Sequence, residues 1–411
     1  FMSQNLTTNS DRFLADLDAL REFGKQGSGV VRPAFSPPDI DSRRWLTGKF
    51  EACGLRPRWD PAANLFGMPS QPGKPILIGS HSDTQPEGGW LDGAYGVILA
   101  LEVARTCQEA GGPPVAVVSF QDEESAFMPM TGSCFFSGKL SRDTLYDLSN
   151  AAGQRYGDLA SALPELEEPE SLDPGLFSAF LEAHIEQGPV LDQAGEIIGV
   201  VETIVGSRQF EVTITGQQNH AGTTPMALRQ DAVTGFAAFI TKLEEQFTEI
   251  ATPRSVWTIG RVDVHPNAPS IVPGALNCSV QMRDGSLSQL DAMCEITQKV
   301  AAQTAAERNL NISLLETKAV DPVDMDDQVI EAFCDAAGSN APGAWRRMPS
   351  GALHDAMNLA PRIPTGMMFV PSIGGVSHAF EEDTEREHLA AGVQVMADAV
   401  TRLADQLGNT G

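Results

Sequence analysis

The segment from Pro75 to Phe120 constrains the fold more than any other part of this 411-residue chain. PILIGS (75–80) is an apolar run of strand length, VILALEVARTCQEA (97–110) has helical periodicity and is closed by Gly111 and Gly112, and VAVVSF (115–120) is a second apolar run. Strands that are apolar throughout are buried on both faces, and two of them joined by a helix make a βαβ unit. The pattern changes near residue 208: RQFEVTITG (208–216) and parts of 254–264 and 276–283 alternate like half-exposed strands, with helical patterns at 226–247 and 286–306. Near Asp324 the α/β character returns, and TGMMFVPS (365–372) leads through a Gly-rich loop to a closing helix at about 385–406. The expected fold is therefore α/β, a mixed, mostly parallel sheet with helices on both faces, formed by residues 1–208 and 325–411. Residues 209–324 are expected to form a separate α+β domain inserted into it, since a chain this long outgrows a single core.

A net charge of −26 without a basic stripe excludes nucleic acid as the expected partner. No apolar run reaches the length of a membrane span. The N-terminal stretch FMSQNLTTNSDRF lacks the basic and apolar regions of a secretory signal, and six cysteines without CxxC spacing suit a reducing compartment, so a cytoplasmic location is expected.

Candidate chemistry gathers where strands end, the place where open α/β sheets carry their ligands. SHSDT puts His81 and Asp83 after the first strand, and Asp92 follows in the Gly-flanked loop WLDGAYG. SFQDEES leaves Asp122, Glu123 and Glu124 consecutive, an arrangement that repels itself unless a cation compensates it. EAHIEQGP supplies His184, and GGVSHAFEE supplies His378. One histidine in a loop is more often structural than functional, but His81, His184, His220, His354 and His378 all lie in Gly, Ser or Thr-rich, loop-like contexts. Two divalent ions sharing one carboxylate need three imidazoles, a terminal Glu and a bridging Asp, an inventory met by His81, His184, His378, Glu124 and Asp92. A Glu beside the ions but not on them would then be the general base, and Glu123 suits that role. Spacing alone leaves open which of the two adjacent Glu residues binds and which acts as base.

The segments GSHSDT, LDGAYG, DEES, HIEQGP, NHAGTTPM, PSIVPG, SGALHDAM and VPSIGGVSH, in this order over nearly the whole chain, resemble the hydantoinase/carbamoylase branch of the M20 metallopeptidase family. The resemblance implies a zinc-peptidase-like catalytic domain with an inserted lid that also joins a homodimer. It implies that His81, Asp92 and His184 hold one metal and Asp92, Glu124 and His378 the other, with Asp83 orienting His81 and Glu123 as base and proton shuttle. His220 would polarise the scissile carbonyl, often in the neighbouring subunit's site. Arg283 would bind a substrate carboxylate and Gln187 the amide or ureido group, while Ser270, Gly351 and His354 fall in segments that contact substrate. The metals would be two divalent ions per subunit, zinc first, with manganese, cobalt or nickel as alternatives. The expected activity is hydrolysis of a small, carboxylate-bearing N-carbamoyl (ureido) amino acid or related linear amide by a metal-bridging hydroxide. An aminoacylase or dipeptidase is the alternative, and a non-catalytic binding protein a third reading, which would leave Glu123 without a purpose. Two departures concern substrate contacts: EESAF lacks the Arg of the relatives' EEGSRF, and Ser270 stands where they commonly carry Asn.

Overall fold

The computed structural model describes residues 6–408; residues 1–5 of the stretch read for a signal lie outside the described residues. The chain divides into two compact units, Phe1–Glu202 with Asp324–Gly411, and Thr203–Val323. At the centre of the first unit four strands run parallel, in the order Thr365–Val370, Ala179–Ile185, Ile76–His81 and Val115–Phe120. Antiparallel strands continue the sheet, Leu65–Met68 and Arg56–Trp59 beyond Val115–Phe120, and Ile198–Ile204 beside Thr365–Val370. The sheet is thus mixed, with a parallel centre. Every residue of the four central strands is buried, which requires both faces to be covered.

Helix Ala94–Ala110 lies across the central strands. Gly96 permits the close approach, since a Cβ there would stand 2.3 Å from the Ala183 carbonyl oxygen. The helix stops where Gly111 enters the left-handed region at φ +65, which leaves its amide bonded to the Cys107 and Gln108 carbonyls. The end of Val115–Phe120 is held by a fully buried ion pair. Arg43 Nε meets Asp39 Oδ1 at 2.9 Å, and the same guanidinium donates to the carbonyls of Ser119 (3.1 Å) and Phe120 (2.7 Å). This clamp fixes the strand end from which the acidic run 122–124 departs.

The second unit is an antiparallel sheet in the order Val256–His265, Ala275–Asp284, Gly206–Thr215 and Asn311–Val320. Helices Ala232–Ile250 and Leu287–Arg308 pack on it. The alternation expected of half-exposed strands is realised: Phe210, Val212, Ile214, Leu276, Cys278, Val280 and Met282 point into one core with Phe239, Leu243 and Phe247. The helix expected from 226 begins instead at Ala232. Asp231 accepts hydrogen bonds from the Val233 and Thr234 amides and so caps it, and Met226–Leu228 forms a separate single turn. Among the described residues no helix is long and apolar enough to cross a membrane.

Candidate metal centre and active site

Three parallel strands deliver the first group of residues from the same edge. His81 is the last residue of its strand, His184 the penultimate residue of Ala179–Ile185, and Glu123 and Glu124 follow Phe120 by three and four residues. His81 Nδ1 lies 3.0 Å from the Asp83 carbonyl oxygen and His184 Nδ1 2.9 Å from that of Ile185, so in each ring the Nδ1–H donates to backbone and Nε2 faces Asp92. Asp92 Oδ1 stands 3.0 Å from His184 Nε2 and 3.5 Å from His81 Nε2. The other oxygen, Oδ2, is 3.1 Å from His378 Nε2, which in turn is 3.8 Å from Glu124 Oε1. Among the described residues two groups could therefore hold an ion, His81 with Asp92 and His184, and Asp92 with Glu124 and His378, the ligand atoms of each lying within 4.8 Å of one another. Glu123 belongs to neither. Its Oε2 is 3.8 Å from His81 Nε2.

The local backbone explains how the site is held open. Asp92–Gly93–Ala94 is a γ-turn of positive φ: Gly93 has φ +63 and ψ −45, and the Ala94 amide donates to the Asp92 carbonyl at 2.6 Å. A Cβ on Gly93 would lie 2.4 Å from His81 Nε2, so glycine leaves room for the ring. Asp122, Ser125, Gln187 and His378 also have positive φ, from +53 to +69. Strained non-glycine backbone concentrated in the three loops at this edge marks a functional surface.

Charge in the site is unbalanced in a way a cation would correct. Burial opposes ionisation of Asp92, yet hydrogen bonds with His184, His378 and His81 outweigh it and hold the carboxyl well below its usual range. The hydrogen bond with Asp92 pushes His378 up to about 9. Burial, then Asp92, pushes Glu124 up to about 8, and burial raises Glu123 well above the carboxylate range. Glu124 Oε1 is buried without a hydrogen-bond partner, while its Oε2 accepts from Gln85 Nε2 at 2.6 Å. Protons are drawn onto this cluster because it lacks positive charge. An orphaned carboxylate oxygen together with imidazole Nε2 atoms is the donor set a divalent ion takes, so the residues fit the group.

Several residues act differently from the simplest sequence reading. Asp83 meets His81 through its backbone carbonyl; its carboxylate is 3.7 Å from His81 Nδ1 and instead accepts from the amides of Glu123 (3.4 Å) and Glu124 (3.1 Å), aligning the acidic run. Asp122 does not join its two acidic neighbours. It turns back to accept from the Ala126, Phe127 and Met128 amides and the Thr131 hydroxyl. Gln187 Nε2 donates to Asp92 Oδ2 at 2.9 Å. His354 is buried 4.5 Å, centroid to centroid, from the His184 ring, and burial keeps it neutral by lowering its pKa well below the usual value. Gly351 is exposed beside it in sequence, and nothing within 4 Å would meet a Cβ there.

Sequence reasoning missed Glu382. Its Oε1 accepts from the Leu91 (3.2 Å) and Asp92 (3.0 Å) amides and its Oε2 from the Ser377 hydroxyl (2.7 Å), joining the Asp92 loop to the His378 loop. The available signal was the acidic pair three and four residues after His378.

His220, Ser270 and Arg283 belong to the second unit. His220 lies on the short strand Asn219–His220, exposed, and its Nδ1 accepts from the Gly222 (2.9 Å) and Thr223 (3.1 Å) amides. That leaves the proton on Nε2, free to donate outward. The Ser270 carbonyl accepts from Ala221, tying it to the same loop. Arg283 Nε donates to Gln281 Oε1 at 3.2 Å.

The profile of the Peptidase family M20/M25/M40 matches residues 77–402. The chain is 33% identical to an allantoate amidohydrolase of Escherichia coli (strain K12), over 94% of this chain and 96% of that one. It is 34% identical to an N-carbamoyl-L-amino acid amidohydrolase of Geobacillus stearothermophilus, over 96% and 98%. Its fold matches the crystal structure of an amidase of the hydantoinase/carbamoylase family from Burkholderia phymatum with a TM-score of 0.93 and 41% identity, over 98% of this chain and 100% of that one. The family match and these similarities over almost the full length lead to one conclusion: the chain belongs to peptidase family M20/M25/M40, in its hydantoinase/carbamoylase branch.

Proposed function

We propose that this chain is a binuclear metal-dependent amidohydrolase that cleaves a small N-carbamoyl amino acid or a related linear amide, releasing the amino acid. One observation carries the reading: the two oxygens of Asp92 face two different sets of ligands, so a single carboxylate can bridge two ions. Relatives named for N-carbamoyl-L-amino acids and allantoate support the class of bond.

Held by these residues, two divalent ions, zinc first and manganese, cobalt or nickel as alternatives, would polarise the scissile carbonyl and acidify the attacking water. Glu123, beside both ligand groups and outside them, would take that water's proton and pass it to the leaving nitrogen. Its amide is held by Asp83, which sets where the carboxylate can reach. The outward Nε2–H of His220 would donate to the carbonyl oxygen as charge develops there. Arg283 would grip the substrate carboxylate bidentately and so orient the amide. Gln187, whose Nε2 donates to Asp92 Oδ2 at 2.9 Å and so lies beside both ligand groups, would contact the ureido group.

The same reading includes a homodimer joined through the inserted domain, with His220 serving the partner's site. The exposed edge strands Val256–His265 and Asn311–Val320 support it, since an unpaired edge is ordinarily covered. A cytoplasmic location is supported by six free cysteines. The deciding experiment is turnover of metal-reconstituted enzyme on matched N-carbamoyl, N-acyl and dipeptide substrates, read out as ammonia and free amino acid. Ammonia release from the carbamoyl series supports the proposal; turnover confined to acyl or peptide substrates replaces it with an aminoacylase or dipeptidase, and binding without turnover with a non-catalytic protein.

A further inference from the structure

The second unit carries a polar sheet face that the chemistry above uses only at Arg283. Register puts Arg283 opposite Ser207 and Gln281 opposite Gln209, and on the other side of the Gly206–Thr215 strand puts Lys318 opposite Gln209. Directly paired residues share a face, so these five side chains stand together, on the side away from the core of Phe210, Val212, Val280 and Met282. Hydrogen bonds connect part of the row: Arg283 Nε donates to Gln281 Oε1 at 3.2 Å, and Gln281 Nε2 to Gln209 Oε1 at 3.1 Å.

Two groups in this row lack a partner. Ser207 is 1% exposed, and its buried hydroxyl has no hydrogen-bond partner. Lys318 is half-buried and, among the described residues, no carboxylate pairs with it. The nearby acids are engaged elsewhere: Asp321 meets Arg208 at 2.6 Å, Glu316 meets it at 3.8 Å, and Glu211 pairs with Arg261. Burial and then the neighbouring positive charge of Arg283 lower the Lys318 pKa. In a chain of net charge −26, two adjacent cations sharing a face with an orphaned hydroxyl form a place for an anion.

One carboxylate saturates the fork of Arg283. Lys318 stands on the far side of the intervening strand and two residues along it, roughly 12 Å from Arg283 between Cα atoms, a span that two long side chains reach into from either end, so it meets a second anionic group. We propose that Lys318, with Ser207 and Gln209, forms an anion subsite beside Arg283, and that the preferred substrate is an N-substituted amino dicarboxylate whose α-carboxylate goes to Arg283 and whose side-chain carboxylate goes to Lys318. The subsite's role in turnover rests on the amidohydrolase reading above; its ability to bind a dicarboxylate does not.

The test compares N-carbamoyl-L-glutamate with its side-chain amide, N-carbamoyl-L-glutamine, and the aspartate with the asparagine pair. Turnover is read as free amino acid released by metal-reconstituted enzyme, and binding by calorimetry on metal-loaded Glu123→Gln protein. The expected result is a preference for each diacid over its amide of about tenfold or more in both measurements. Lys318→Met should bring the ratio to about one, and Lys318→Arg should keep it. Equal binding of diacid and amide by the Glu123→Gln protein, or a ratio that Lys318→Met leaves unchanged, overturns the subsite. Diacid-selective binding lost in Lys318→Met, with no turnover of any of the four compounds, upholds the subsite and sinks the proposed activity instead.

Discussion

Replacing Gly93 with Ala separates the strain of the γ-turn from the space needed by a ligand. At φ +63 and ψ −45 an L-residue costs about 1–3 kcal/mol, and this loss is felt with or without metal. The new methyl would also lie 2.4 to 2.5 Å from Nε2, Cδ2 and Cε1 of His81, about 1 Å inside ordinary contact. The ring cannot turn aside, because its Nδ1–H is held on the Asp83 carbonyl and His81 is 1% exposed. It must retreat from Asp92, which weakens the ion between His81, Asp92 and His184 by roughly 10 to 100-fold, or about 1.4–2.7 kcal/mol. The group formed by Asp92, Glu124 and His378 should be affected far less. The assay is metal titration of the apoprotein against a competing chelator, with thermal unfolding of apo and loaded forms. Gly93→Ala should lose one of two binding steps at low free metal, and its stability deficit should be larger in the loaded form than in the apo form. Two unaltered binding steps, or equal deficits in both forms, would refute the assignment of His81 to an ion.

Glu123→Gln should retain both ions and lose turnover by several orders of magnitude; if it strips a metal while Glu124→Gln does not, the roles of the two residues are reversed. Arg283→Ala should raise KM for carboxylate substrates far more than for amide-capped analogues, by about 2–5 kcal/mol in binding, and equal losses would reject Arg283 as the anchor. Mixing Glu123→Gln with His220→Ala under subunit exchange should restore about half of wild-type activity per mixed dimer, whereas no recovery despite exchange means that His220 serves its own subunit. Arg43→Met leaves Asp39 buried without its cation and frees the strand-end carbonyls, so denaturant unfolding should show a loss of about 3–5 kcal/mol; a loss under 1 kcal/mol would mean that the clamp is dispensable.

The sequence by itself determined the order of strands and helices around Pro75–Phe120 and the stock of ligands, because periodicity, glycine stops and residues just past strand ends are local properties. It also placed His81, Asp92, Glu124, His184 and His378 in recognisable segments. Spacing alone left open which of Glu123 and Glu124 joins a ligand group, and the folded chain brings Glu124 within reach of His378 while leaving Glu123 outside. The helix start at Ala232 was misread because the apolar pattern runs back through 226 and the cap formed by Asp231 is a matter of side-chain geometry. Tertiary structure alone decided that Asp83 works through its carbonyl on His81 and its carboxylate on the Glu123 and Glu124 amides, and that the two oxygens of Asp92 face opposite ways. Glu382, which fixes the Asp92 amide from 290 residues away, shows the physical reason: a buried carboxylate takes whatever donors the fold brings within about 3 Å, and no local pattern records which these will be.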